Sequence, residues 1–436
     1  MNIIRIILAI FLSLAVFSCG KDVLTVDTVA ERYVKLALKI GAYKPDYVDA
    51  YYGPEEWKPS PVDSSAVFPY AEYRTEAAAL LAGLDNVTVV DADTMQQIRL
   101  RCLRRQIQSM AAMVEILNGR TMSFDEESQA LYGVTIPTHD TAFYDSALQA
   151  LEAALPGEAE FTDRYDRFRK QFIIPPGKID TVVKVTVAAC RRAASEHIPL
   201  PPGEAFVVTY VGRQPWGAYN WYQGNYHSLM QIDTSKPQYV TNLPDLIAHE
   251  GYPGHHLSNA YREEQLLRQR NWVETYVQLL FSPVSLVDEG TANYAGDLVF
   301  PREAKIEFIK TVLCPLAGVS PDEVERFFAI GDLRRRLEYA WCDAARRHLD
   351  GLESVEATLA WLRKYCLRTG AQASSSVAFF DRYRSYVINY DLGEDLTRAY
   401  IERAGDSGDV LLLRWNRYRH LLLDDSAIMD PRPAVQ

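Results

Sequence analysis

The sequence predicts a mainly α fold with a small antiparallel β-sheet beside a helix that carries a candidate metal site. Three observations predict it. Apolar residues recur at helical spacing over long parts of the 436-residue chain, and two short stretches read as strands, 205–211 being β-branched and aromatic and 226–233 alternating polar and apolar. Soon after the second strand comes His249-Glu250-Gly251-Tyr252-Pro253-Gly254-His255-His256, where three of the chain's eight histidines fall in one eight-residue window. A composition of 48% hydrophobic and 24% charged residues is an ordinary globular balance, with length enough for a large core. The formal charge of −11, with no dense basic run, argues against a nucleic-acid surface.

The chain opens with Arg5, an almost wholly apolar run over 6–17, and then Ser18-Cys19-Gly20. The run is too short for a spanning helix of about 20 residues and has the layout of a secretory signal. A small residue followed by Cys resembles the lipobox of bacterial lipoproteins, to which Phe17 is an imperfect fit. Residues 1–18 are therefore expected to be removed and Cys19 lipidated. The mature protein would be exported, facing the periplasm or cell exterior and touching a bacterial membrane only through its lipid; a plain signal peptide is the alternative.

Residues 19–200 form an N-terminal helical part. The stretches 29–38 and 98–117 are amphipathic, Met110 and Met113 reading as core, and 143–155 and 179–197 follow the same period. Pro and Gly punctuate 53–61, 156–157, 175–177 and 200–203. Leu200-Pro201-Pro202-Gly203 marks the boundary with a metal-bearing part over 201–436, and without a long linker the two parts should pack as one body with a cleft. Strands are expected over 205–211 and 226–233. Further helices are expected over 257–270, 321–349, 354–366 and 394–403. Cys102, Cys190, Cys314, Cys342 and Cys366 show no C-x-x-C pairing, so a zinc-thiolate cluster is not expected, though one disulfide is possible.

The histidine block departs from the zinc-protease signature H-E-x-x-H, in which two histidines four apart share a helix face about 6 Å apart along the axis. In a straight helix His256 would return to the face of His249 about 10.5 Å further on, and His255 would point elsewhere. Neither could share an ion with His249. Pro253 cannot donate to the carbonyl of His249 and Gly254 accepts unusual dihedrals, so a bulge or short loop can form between them. If two residues are looped out, His255 falls where the second ligand belongs. A third ligand is needed, and an acidic pair lies inside the apolar segment 285–294, where an unpaired charge is costly. Glu289 is the candidate, sharing a helical face with Ala292, Asn293 and Gly296, and Asp288 is the runner-up. An exposed helix-start carboxylate after Pro283 and Ser285 is the competing explanation.

The block 249–256, the following Glu289-Gly290-Thr291-Ala292, and the upstream run Pro215-Trp216-Gly217-Ala218-Tyr219-Asn220-Trp221-Tyr222 resemble the bacterial family known as domain of unknown function 885. The similarity extends from Asp46-Tyr47-Val48-Asp49-Ala50-Tyr51-Tyr52-Gly53-Pro54 to Tyr383 and Tyr390-Asp391-Leu392-Gly393, most of the mature chain. That family is in turn similar to helical zinc peptidases with a glutamate third ligand (gluzincins), such as thimet oligopeptidase and carboxypeptidase Taq. Their H-E-x-G-H block aligns only with two residues inserted, which favours His255 over His256. The resemblance implies a gluzincin-like helical metallopeptidase with one Zn2+ held by His249, His255 and Glu289, and a peptide or other amide as substrate.

In such a site the ion activates water, and Glu250, turned about 100° from His249, serves as general base. Tyr383, Tyr386 and Tyr390 lie at i, i+3 and i+7, a stripe that is usually core; through the resemblance Tyr390 becomes the candidate oxyanion helper. Metallopeptidases of this type hold extended substrate along an edge strand, which makes Asn225 and His227 candidate cleft residues and leaves His256 for the second shell or the substrate. A different reading is an exported lipoprotein that captures a ligand in the cleft without turnover. His and Glu ligands suit several divalent ions, and cleavage mode and oligomeric state are not encoded in these patterns.

Overall fold

The computed structural model describes residues 25–63, 65–87, 93–214, 216–403 and 408–429; the expected signal segment 1–18 and Cys19 lie outside them. The chain is mainly helical. The N-terminal half supplies α1 (Val26–Gly41), α2 (Tyr70–Asp85), α3 (Thr94–Leu117), α4 (Phe124–Tyr132), α5 (Thr141–Ala154), α6 (Phe161–Lys170) and α7 (Ile179–Ser195). After the sheet come α8 (Leu243–Glu250), α9 (His255–Arg262), α10 (Pro283–Val299), α11 (Arg302–Phe308), α12 (Cys314–Ala317), α13 (Val324–Arg334), α14 (Ala340–Leu349), α15 (Val355–Lys364), α16 (Gly370–Tyr383), α17 (Ile388–Ile401) and α18 (Val410–Leu423).

The helices expected from periodicity over 29–38, 98–117, 143–155 and 179–197 form, as α1, α3, α5 and α7. The Thr25 and Asp93 side chains cap α1 and α3 by accepting from the backbone N–H of Thr28 and Gln96. Met110 and Met113 are buried on α3. One expectation fails in detail: 321–349 is not a single helix. The chain tightens into a 3₁₀ turn at Arg335–Leu337, burying Leu337 and Ala340 while Arg335 and Arg336 reach Glu394 and Ser146.

The strands are β1 (Val48–Tyr51), β2 (Ala205–Val211), β3 (Ala218–Tyr222), β4 (His227–Asp233) and β5 (Val277–Leu279). β1 and β5 pair antiparallel. The other three form a sheet in the order β2-β4-β3, and this sheet is mixed rather than antiparallel: β2 runs parallel to β4 from Ala205↔His227 to Val211↔Asp233, and only β3 is antiparallel. The connection after β2 decides this. Buried Asp233, at the end of β4, accepts from the backbone N–H of Arg213 and Gln214, and its own N–H donates to the Gly217 carbonyl. That clamp carries the chain over the end of β4 and lays β3 on its far side.

One hydrophobic core runs from Val29 on α1 to Ile428 and draws side chains from both sides of residue 200. Cys102, Cys190, Cys314, Cys342 and Cys366 are all unpaired thiols. Among the described residues no helix is long and apolar enough to cross a membrane.

Candidate metal centre

α8 stops at Glu250 and α9 starts at His255, with 251–254 looped out between them. The loop recloses on the helix: Gly254 N–H donates to the Ala248 carbonyl at 2.9 Å and Leu257 N–H to the Gly251 carbonyl at 3.1 Å. Gly254 has no alternative here. A β-carbon on it would sit 1.9 Å from the His249 carbonyl oxygen. The Pro253 carbonyl is held by the hydroxyls of Ser258 and Tyr418, 2.9 and 3.1 Å away. His255 thereby returns to the face of His249, and their Nε2 atoms are 3.1 Å apart.

Glu289 enters from α10, its Oε2 3.6 Å from Nε2 of His249, and the ligand atoms of His249, His255 and Glu289 all lie within 4.8 Å of one another. Two ligands of a tetrahedral zinc with bonds of about 2.05 Å are about 3.3 Å apart, so this spacing suits a single small ion. The chemistry suits it too. Burial first, and then His255, holds the His249 imidazole down at about 3; burial and then Arg262 hold His255 at about 4, so both rings are neutral and offer lone pairs at pH 7. Oε2 of Glu289 is buried and has no hydrogen-bond partner, while Oε1 accepts from the Tyr386 hydroxyl at 2.7 Å. Asp288 points elsewhere, into an ion pair with Arg262.

Glu250 shares this space. Its side chain is 7% exposed and makes no hydrogen bond to any described residue, and burial, then Glu289 and Asp49, push its carboxyl up to about 8. The side-chain amide of Asn220, on β3, donates to the Glu250 carbonyl at 2.6 Å and ties the sheet to the end of α8. Opposite stand Tyr386 and Tyr390. α17 crosses α10 where two glycines meet: a β-carbon on Gly290 would lie 2.2 Å from the Gly393 carbonyl oxygen. This close approach brings Tyr390 up to Glu289 and Glu250, both of which raise its phenol after burial has done so.

The three tyrosines do not share one helix. α16 ends at Tyr383, Arg384 has φ 51°, and a 3₁₀ turn leads into α17. Buried Glu127 on α4 stabilises the break, one oxygen accepting from the backbone N–H and hydroxyl of Ser385 and the other from Arg384. Arg382 pairs with Asp46 at 2.6 Å, so both arginines are engaged within the protein.

Three expected substrate contacts stand apart from this cluster. His256 is fully buried, with Nδ1 2.9 Å from the Ser228 hydroxyl and Nε2 2.9 Å from Glu204, so neither ring nitrogen is free for a ligand. It pins α9 to β4. Asn225 sits in the turn between β3 and β4 with φ 52°, its oxygen accepting from Arg268 at 2.8 Å. His227 starts the central strand, its Nε2 3.2 Å from the Gly203 carbonyl. The physical reason is the sheet order: β4 has a neighbour on both sides, so the free edge near the centre belongs to β3. The sequence reads Tyr386 only as part of a core-type stripe and gives Asp49 and Asn220 no role of their own, whereas the structure sets the Tyr386 hydroxyl on Glu289. Asp49 and Asn220 do fall inside the two segments that carried the resemblance.

A second grouping, Cys102 with Asp424 and Asp425, is poorly suited to an ion. The Asp424 carboxylate already accepts from Ser426, Cys102 and Arg101.

No protein-family model and no curated protein matches the chain. Among solved structures it is similar to a presumed lipoprotein from Colwellia psychrerythraea, at 12% identity and a TM-score of 0.47 over 91% of this chain and 75% of that one. It is also similar to a presumed lipoprotein of unknown function from Shewanella oneidensis, at 14% identity and a TM-score of 0.35 over 81% and 72%. Neither likeness bears on the site. The resemblance to the zinc peptidases therefore rests on the motif residues themselves.

Proposed function

We propose that the chain is a zinc-dependent hydrolase of peptide or related amide bonds, exported and tethered to a bacterial membrane by lipid on Cys19. The observation that carries this reading is the convergence of His249, His255 and Glu289 within 4.8 Å, with the unpartnered carboxylate of Glu250 in the same space. When bound, zinc supplies a Lewis acid that activates water and stabilises oxyanion charge. Burial alone would keep Glu250 protonated, but a cation held by His249, His255 and Glu289 would favour its ionised form, which accepts the water proton and passes it to the leaving amine. The Tyr390 phenol, kept protonated by burial, donates to the developing oxyanion. Tyr386 holds Glu289 in place. Extended substrate lies along the free edge of β3.

Metal analysis and hydrolysis of a peptide library test the reading. Wild type should carry about one zinc per chain and cleave, and Glu250→Gln should keep the metal and lose turnover. A well-folded preparation that takes up no zinc would sink it. The second reading is an exported lipoprotein that captures a ligand in the same cleft without turnover; the structural neighbours are described only as lipoproteins, which both readings share. Peptide binding by zinc-loaded wild type with no product formed would favour it.

A further inference from the structure

Carboxylates outnumber free cations around this centre. Glu250 and Glu289 are 7% and 12% exposed, and Asp49 enters from β1, where the Tyr219 hydroxyl of β3 donates to it. Asp49 is close enough to raise the carboxyls of both glutamates, after burial has done so. Of the neighbouring cations, Arg262 pairs with Asp288 and Arg382 with Asp46, while Lys44 lies over the Phe281 ring at 5.0 Å. The groove between β1 and β3 is lined by Asp49 together with tyrosine, tryptophan, asparagine, glutamine and small apolar side chains, without a Lys or Arg. Among the described residues Asp49 makes no ion pair, and its hydrogen-bond partner is the Tyr219 hydroxyl. Asp49 is the exposed member of the three acidic residues, and it lines the groove.

The groove reaches the candidate centre through Asn220, which lines it and whose side-chain amide donates to the Glu250 carbonyl at 2.6 Å. Resting on the hydrolase reading, we propose that Asp49, buttressed by Tyr219, binds the ammonium group of the substrate. The substrate class is then short peptides with a free α-amino group, laid along β3 with the amino end at Asp49. A lysine side chain offers the same chemistry, so the test separates the two sources.

Binding is measured calorimetrically on the metal-free protein, where it is read without turnover, using tetra-alanine, N-acetyl-tetra-alanine and N-acetyl-Ala-Lys-Ala-Ala. Tetra-alanine should bind about tenfold or more tighter than its acetylated form, as expected for a charge-assisted hydrogen bond. Asp49→Asn should erase that preference and Asp49→Glu should retain part of it, with thermal melting showing that both variants are folded. Equal binding of the two alanine peptides, or no binding of either, overturns the proposal. So does a preference that survives in Asp49→Asn. If the lysine peptide matches tetra-alanine, assignment to the α-amino group is overturned. Hydrolysis is scored separately on the zinc-loaded protein. An intact amine preference with no cleavage sinks the hydrolase reading, whereas cleavage that ignores acetylation sinks the role of Asp49.

Discussion

Replacing Tyr386 with phenylalanine removes one hydroxyl and leaves the ring packed against Phe281 and Tyr390, whose centroids are 6.2 and 5.7 Å away. That hydroxyl donates at 2.7 Å to Oε1 of Glu289, whose Oε2 lies 3.6 Å from Nε2 of His249. A hydrogen bond to a charged group is worth about 1.5–3 kcal/mol. Removing a group that orients a metal ligand costs about 10–100-fold in metal affinity, or about 1.4–2.7 kcal/mol. The two figures agree because the ion must then immobilise a carboxylate that the protein no longer holds. Tyr386→Phe should therefore bind zinc about 10–100-fold more weakly. The metal-free fold should lose less, since burial already pushes the Glu289 carboxyl up to about 7 and it can take up a proton when its donor is gone. Competition with a chromophoric chelator reads the affinity, and calorimetric melting of the metal-free protein reads the fold. Zinc affinity within about twofold of wild type, in a folded variant, would refute the reasoning, because either Glu289 is then no ligand or Tyr386 does not orient it.

Gly254→Ala should destabilise the fold by at least about 2 kcal/mol and weaken zinc binding, because its β-carbon would lie 1.9 Å from the His249 carbonyl oxygen; a wild-type melting temperature would contradict this loop. Burial would raise the Glu204 carboxyl, but hydrogen bonds from His256, Tyr252 and Arg191 outweigh it and hold it at about 2, against an ordinary 4.5. A carboxylate lowered in the folded state stabilises fully above 4.5 and loses that contribution as the pH falls through about 2, so Glu204→Gln should flatten the acid limb of a stability-against-pH curve over that window. An unchanged acid limb would show that this network does not act as described. His256→Ala should cost about 1–3 kcal/mol in melting experiments, because Glu204 and Ser228 lose a buried partner, whereas Asn225→Ala should leave peptide KM within about twofold. A large KM change in Asn225→Ala with unchanged stability would return that residue to the cleft.

By itself the sequence determined what depends on near neighbours. Helical periodicity located α1, α3 and α7, a β-branched run located β2, and polar–apolar alternation located β4. Pro253 and Gly254 between two histidines implied an interrupted helix, because backbone sterics act over a few residues. Tertiary structure decided whatever joins distant segments. Tyr386 reaches Glu289 across 97 positions, Glu204 meets His256 across 52, and Asp49 meets Tyr219 across 170, pairs that no local spacing encodes. The same holds for β3. Its place at the edge of the sheet follows from the Asp233 clamp on the preceding loop, which sets β3 rather than β4 across the groove from Asp49. Arg384 likewise leaves the helical region because buried Glu127 captures it and Ser385, so a stripe that reads as one helix becomes two. Short-range sterics and periodicity are written in consecutive residues, whereas the partners of buried charges are chosen only when helices and strands pack.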